Sequence, residues 1–209
     1  MGGTDWWTGI NIVNLEPKSG KVTLRLIGDD GTQIGATQSL DLAPRGKLHI
    51  TDQSFFVTAG SAVKQGYLQI QSDGVRISGD VLFGDPARNR FASALPLGST
   101  LMKNLVFSQL ASDDTYFTGV AILNPGQSAA NVTIDVYDKE GNLIATKVES
   151  IAAGRRKSAL MTEYFNQMKG SKYSSGYIRL RSDNGIVSFA LFGTQRLTAL
   201  SAVPAQAAP

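Results

Sequence analysis

Cysteine is absent from this 209-residue chain and histidine occurs once, which excludes disulfides, thiolate metal sites and cysteine nucleophiles at the outset. No uninterrupted apolar run approaches the ~18 residues of a membrane helix, so membrane insertion is not expected. Met1 to Asp5 lack the charged and apolar regions of a signal peptide, so an exported form is expected to have had its signal removed. A concentrated basic face is also missing. The formal charge is +3, with ten Lys/Arg against nine Asp/Glu in residues 1–104 and ten against eight in 105–209. The densest basic run, Arg155, Arg156 and Lys157, reads as a solvated loop, and nucleic acid is not an expected partner.

What the chain does contain is internal similarity. WWTGINIVN, Trp6 to Asn14, returns as YFTGVAILN, Tyr116 to Asn124, at a spacing of 110 residues. At the same spacing Gly9 matches Gly119, Asn14 matches Asn124, Gly31 matches Gly141, Arg45 matches Arg155, Gly66 and Tyr67 match Gly176 and Tyr177, and Ser72 and Asp73 match Ser182 and Asp183. The spacing slips to 109 at Phe83 and Gly84 against Phe192 and Gly193, then to 108 at Ser93 and Ala94 against Ser201 and Ala202. Such slips mark loop deletions between matched strands.

Apolar residues alternate with polar ones in KVTLRLIG (Val22, Leu24, Leu26) and in NVTIDVYD (Val132, Ile134, Val136). A period of two describes half-buried strands. The following segments, DDGTQIG and DKEGNLI, place an acidic residue and then Gly31 or Gly141 where a hairpin turn needs positive φ. YLQIQSD and YIRLRSD repeat the alternation, with Leu68 and Ile70, or Ile178 and Leu180, facing inward. One stretch has helical spacing: Leu160, Tyr164, Phe165 and Met168 behind Thr162 as a cap, with a weaker equivalent in TDQSFF. About seven short strands in each ~100 residues predict an all-β chain of two tandem immunoglobulin-like antiparallel sandwiches, residues 1–98 and 99–209, with small β-barrels as the alternative. LVFSQLAS, Leu105 to Ser112, reads as an opening strand of the second copy. Its equivalent in the first would fall before Met1, so either that strand has been cut away or the first sheet ends one strand short and exposes an edge; a neighbouring chain or preceding domain is expected to cover it.

The lines WWTGINIVNL and YFTGVAILNP, with their DG-type turns and late SD, resemble uncharacterised β-sandwich repeats of the FTGIALVNP type. These occur in tandem in large secreted or surface-attached bacterial proteins. The resemblance runs over most of both copies and implies an extracellular or cell-surface accessory or adhesive module with no assigned catalysis. Leu15 departs from it by standing where the pattern has proline.

Candidate chemistry is sparse. A Ser–His–Asp or metal hypothesis must start from His49, whose match at the 110-residue spacing is Ala159, and no GxSxG elbow accompanies it. Asp41 and Asp52 lie near His49 in sequence only, so an ordinary strand histidine is the simpler reading. Asp29, Asp30, Asp73, Asp113, Asp114, Asp138 and Glu140 sit in turns, and none reproduces a calcium-loop spacing. No phosphate-binding glycine loop is present. The chain is therefore expected to be non-enzymatic, without metal or cofactor.

Two binding readings follow. One is structural or adhesive service through a protein or surface polymer; the other is carbohydrate recognition on exposed aromatics. Binding residues, if aromatic, are Trp6, Trp7, Tyr116 and Phe117. Strand parity places Trp6 and Tyr116 inward, with Ile10 and Val120, and leaves Trp7 and Phe117 on the outer face.

Overall fold

The structure, a computed structural model, describes residues 6–51, 65–87, 90–170 and 172–208. The chain is all-β with antiparallel sheets, and it divides into two compact units, Met1–Leu97 and Gly98–Pro209. In the first unit the strands are β1 (Trp7–Asn14), β2 (Gly20–Gly28), β3 (Gln33–Leu42), β4 (Lys47–Thr51), β5 (Gly66–Asp73), β6 (Ile77–Gly84) and β7 (Ala92–Pro96). They form two sheets, β4-β1-β6-β7 and β3-β2-β5. Alternation explains the packing: Ile10 and Ile12 of one sheet and Val22, Leu24 and Leu42 of the other bury their inward side chains in one core. This is a sandwich rather than a closed barrel.

The second unit comprises β8 (Met102–Ser112), β9 (Tyr116–Leu123), β10 (Ala130–Tyr137), β11 (Leu143–Ile151), β12 (Arg156–Leu160), β13 (Tyr173–Thr194), β14 (Leu200–Pro204) and β15 (Gln206–Ala207). β13 runs through both layers. Its first half lies between β10 and β8, and its second half between β9 and β14. In the first unit the corresponding stretch is broken into β5 and β6 around Gly74, which takes positive φ.

Registers in the two units correspond pair by pair. Val22 faces Ser72 and Leu24 faces Ile70, as Val132 faces Ser182 and Ile134 faces Leu180. Thr8 faces Phe83 and Phe83 faces Ser93, as Thr118 faces Phe192 and Phe192 faces Ser201. Gly31 and Gly141 have φ of 82° and 88° in their hairpin turns, the left-handed region that favours glycine. A side chain on Gly66 or Gly176 would strike the carbonyl oxygen of Ile27 or Tyr137, so both strands approach their neighbour too closely for a Cβ.

Two sequence matches shift by one residue. Gly46 N–H donates to Ala43, and Arg155 N–H donates to Ala152, which aligns Arg155 with Gly46 instead of Arg45. Arg45 stands at φ 51°, and the residue in that conformation in the second unit is Gly154, at 69°. The cause lies in the β2–β3 and β10–β11 hairpins: an irregularity at Leu24/Leu26 spends more residues on β3 than the bulge at Val136/Tyr137 spends on β11. By the same shift His49 corresponds to Ser158, not Ala159, since His49 faces Asn11 and Ser158 faces Ala121.

The helical stretch is a single turn, α1 (Met161–Tyr164), followed by a 3₁₀ turn at Asn166–Met168. Met161, Tyr164, Phe165 and Met168 are buried, whereas Leu160 is exposed. The cap is Leu160 rather than Thr162: its backbone N–H donates to the Glu163 carboxylate at 2.7 Å. Apart from Thr51, the TDQSFF stretch lies outside the described residues.

Candidate functional site

Asn14 ends β1 and Asn124 directly follows β9, both fully buried, and their hydrogen bonds account for both. Asn14 Nδ2 donates to the carbonyls of Lys18 (2.7 Å) and Ala43 (2.9 Å), and its Oδ1 accepts from Glu16 N–H. Asn124 Nδ2 donates to Ser128 and Ile151, both at 2.8 Å, and its Oδ1 accepts from Gly126 N–H. Each amide bonds three backbone groups of the surrounding loops, which ties two loops together. The recurring asparagine is thus a structural clamp.

The aromatic pairs depart from simple parity. Tyr116, expected inward, is 38% exposed and stacks on Phe192 with centroids 5.2 Å apart, while Phe117 is half-buried. Trp6 and Trp7 are both half-buried, and Trp6 meets Phe91 edge-on at 5.2 Å. Parity fails here because these residues open their strands, beyond the span over which the two sheets face each other. From Thr8 onward it holds, with Thr8, Ile10 and Ile12 buried.

Trp7 lies across the bare backbone of Gly9, where a Cβ would come within 2.9 Å of the indole and 3.5 Å of His49 Cε1. Phe117 instead covers Gly193, its cross-strand neighbour. Beside Trp7 a polar row crosses three strands of the outer face. His49 Nδ1 lies 2.9 Å from Asn11 Oδ1, and Asn11 Nδ2 donates to Asp80 Oδ1 at 2.7 Å. The row orients the imidazole through an amide that ends on a carboxylate. The corresponding residues in the second unit are Ser158, Ala121 and Phe189, so the row belongs to the first unit only. Sequence reading missed it because His49, Asn11 and Asp80 are distant along the chain; only the shared outward parity of Asn11 and His49 hinted at it.

Only part of the basic run is a solvated loop: Arg155 is exposed ahead of β12, while Arg156 and Lys157 open that strand. Lys157, on β12, donates to Glu149 of β11 at 2.7 Å and sits 5.8 Å from the Tyr164 ring, and Lys147 meets the same carboxylate at 2.8 Å. Burial opposes charge on Glu149, but hydrogen bonds from Lys147 and Lys157 outweigh it and hold the carboxyl below its usual range. Leu40 and Leu48 occupy these two positions in the first unit, where both pack against its core. The same seam between sheets is closed by an ion pair in one unit and by leucines in the other. A shallow cleft in the second unit is lined by Leu110, Asp138, Lys139, Ile144, Lys172 and Tyr173. No group of three or more metal-ligating side chains occurs among the described residues.

The edge of the first unit at β5 is its other notable surface. Among the described residues β5 pairs with β2 alone, whereas the first half of β13 pairs with both β10 and β8. β8 fills that second side with Leu105, Phe107 and Leu110, all fully buried. No protein-family model matches the chain, and no curated protein matches its sequence.

Proposed function

We propose that this chain is a non-catalytic structural or adhesive module, built as a tandem repeat, that serves protein docking or spacing in a secreted or surface-attached bacterial protein. The observation that carries this reading is the uneven cover over equivalent core positions. Leu68 and Ile70 of β5 are only half-buried, while Ile178 and Leu180 of β13 have 0% exposure. A partly uncovered apolar row on a strand with one sheet neighbour among the described residues is a surface that gains by docking. The matched registers and the duplicated asparagine clamps support the repeat, and the resemblance to tandem β-sandwich repeats supports the location.

Carbohydrate binding is the second reading, favoured by the indole of Trp7 beside the His49–Asn11–Asp80 row. A glycan array run with the whole chain separates the two. The docking reading expects no saccharide to be retained. A saccharide bound by the chain and lost in Trp7→Ala replaces it with the carbohydrate reading.

A further inference from the structure

Cysteine is absent, so oxidation has no thiol to act on and falls to the aromatic and methionine side chains. Two of the six tyrosines are held face to face. Tyr137 of β10 lies directly opposite Tyr177 of β13, with ring planes 7° apart and centroids 4.8 Å apart. Strand alternation sets this arrangement. The adjacent pair in the register, Val136 and Ile178, is fully buried, so the two phenols share the outer face, where both are half-buried. Arg181 and Asp135 pair across the same two strands at 2.7 Å and help to hold that register. Tyr116 stacks instead on Phe192, which has no phenol oxygen, and the buried Tyr164 hydroxyl donates to the Val120 carbonyl at 3.4 Å. Where the second unit has Tyr137 opposite Tyr177, the first has Ile27 opposite Tyr67.

We propose that Tyr137 and Tyr177 form a modification site, joined by a one-electron oxidant into a dityrosine crosslink that ties β10 to β13. The reaction consumes two oxidising equivalents, which a peroxide-driven haem peroxidase or a photo-oxidant supplies. Each phenol gives up one electron and its hydroxyl proton and becomes a tyrosyl radical. The two radicals couple by forming one carbon–carbon bond between ring positions ortho to the oxygens. Each joined carbon then loses its hydrogen as a proton while its phenol oxygen regains one, so both rings are aromatic again. The net loss is two electrons and two protons. Parallel, offset rings on paired strands bring the coupling positions together without unfolding, and a held pair reacts at an effective concentration that a second chain in dilute solution does not match. The bond closes a loop of about 40 residues and so constrains the unfolded state of the second unit. The inference is independent of the docking reading.

The test is photo-oxidation of the whole chain at low concentration with ruthenium tris(bipyridine) and persulfate. Monomer is isolated by size, digested with trypsin and read by tandem mass spectrometry. The expected product joins the peptide of Tyr137 to that of Tyr177, at their summed mass less two hydrogens. Its yield is expected to fall at least about tenfold when the chain is unfolded in guanidinium before illumination, because the proximity is then lost. Tyr137→Phe keeps a ring in the stack without a hydroxyl and is expected to abolish the product. Tyr116→Phe and Tyr173→Phe, which alter the other tyrosine on each tryptic peptide, are expected to leave it in place. A bond that survives Tyr137→Phe overturns the inference, as does dityrosine confined to covalent dimers. Oxidation of Tyr137 and Tyr177 with no bond between them also overturns it, and so does a chain in which both stay unmodified. None of these outcomes bears on the docking reading, which the glycan array tests separately.

Discussion

The two units share their strand registers, their turn glycines and their asparagine clamps, yet they bury equivalent core positions to different extents. In the second unit β8 and β15 extend the sheet past β13, and the inward residues of that strand are sealed. In the first unit, among the described residues, the sheet stops at β5 and the equivalent residues stay half-buried. The comparison teaches that alternation of apolar residues fixes which side chains point inward, whereas the number of strands beside them fixes how well they are covered.

Removing the aromatic that seals the second core breaks the comparison most severely. Phe107→Ala is expected to destabilise the second unit by about 3–5 kcal/mol, since it leaves a cavity where a fully buried ring was. Hydrogen exchange resolved by unit checks this: β9, β10 and β13 amides should lose protection while those of β1, β2 and β6 keep theirs. The clamps test whether the units are equivalent. Asn14→Ala and Asn124→Ala each strand two carbonyls and one N–H, at a cost of about 2–4 kcal/mol. Denaturant melts of the two variants should show similar losses, and a one-sided loss would show that the shared geometry has different energetic weight.

The tryptophans sharpen the picture at a smaller scale. Both indoles are half-buried, so Trp6→Ala and Trp7→Ala are expected to lose similar amounts, about 2 kcal/mol each, by thermal melting. A loss confined to Trp6 would restore the parity reading at the start of β1. Substitutions at the left-handed turn position come next: Gly154→Ala should cost about 1 kcal/mol, and Arg45→Gly should gain up to about 1 kcal/mol, because only glycine adopts that conformation without strain.

The smallest expected effect is the pH dependence that Glu149 contributes at the seam of the second unit. The Glu149 carboxyl titrates lower in the folded protein than in the unfolded chain, so the unfolded chain binds the proton first as pH falls. Its contribution is present above the ordinary glutamate pKa and is lost as pH drops through the lowered folded value. Acid titration of stability should show this component in the native chain and not in Glu149→Gln, and the leucine-closed seam of the first unit should show none.

The aromatic ends show where local pattern stops being informative. Alternation in WWTGINIVN placed Ile10 and Ile12 correctly, because those residues lie where two sheets face each other. It misplaced Tyr116, because at a strand's mouth no opposing sheet makes one face drier than the other. The one-residue shift at Arg45 has a similar origin: a β-irregularity changes how many residues a hairpin uses without changing which residues recur on either side of it.

By itself the sequence determined the all-β class, the strand sets, the positive-φ turns at Gly31 and Gly141 and the inward faces of the central strands. Each of these follows from local rules, period-two alternation and the conformational freedom of glycine, that act within a few residues. Only the tertiary structure decided that Asn14 and Asn124 are clamps, that His49 reaches Asp80 through Asn11, that Lys157 closes a seam with Glu149, and that β5 has a single neighbour among the described residues. Those outcomes depend on which strands lie side by side, and strand neighbours are set by long-range packing that no local pattern records.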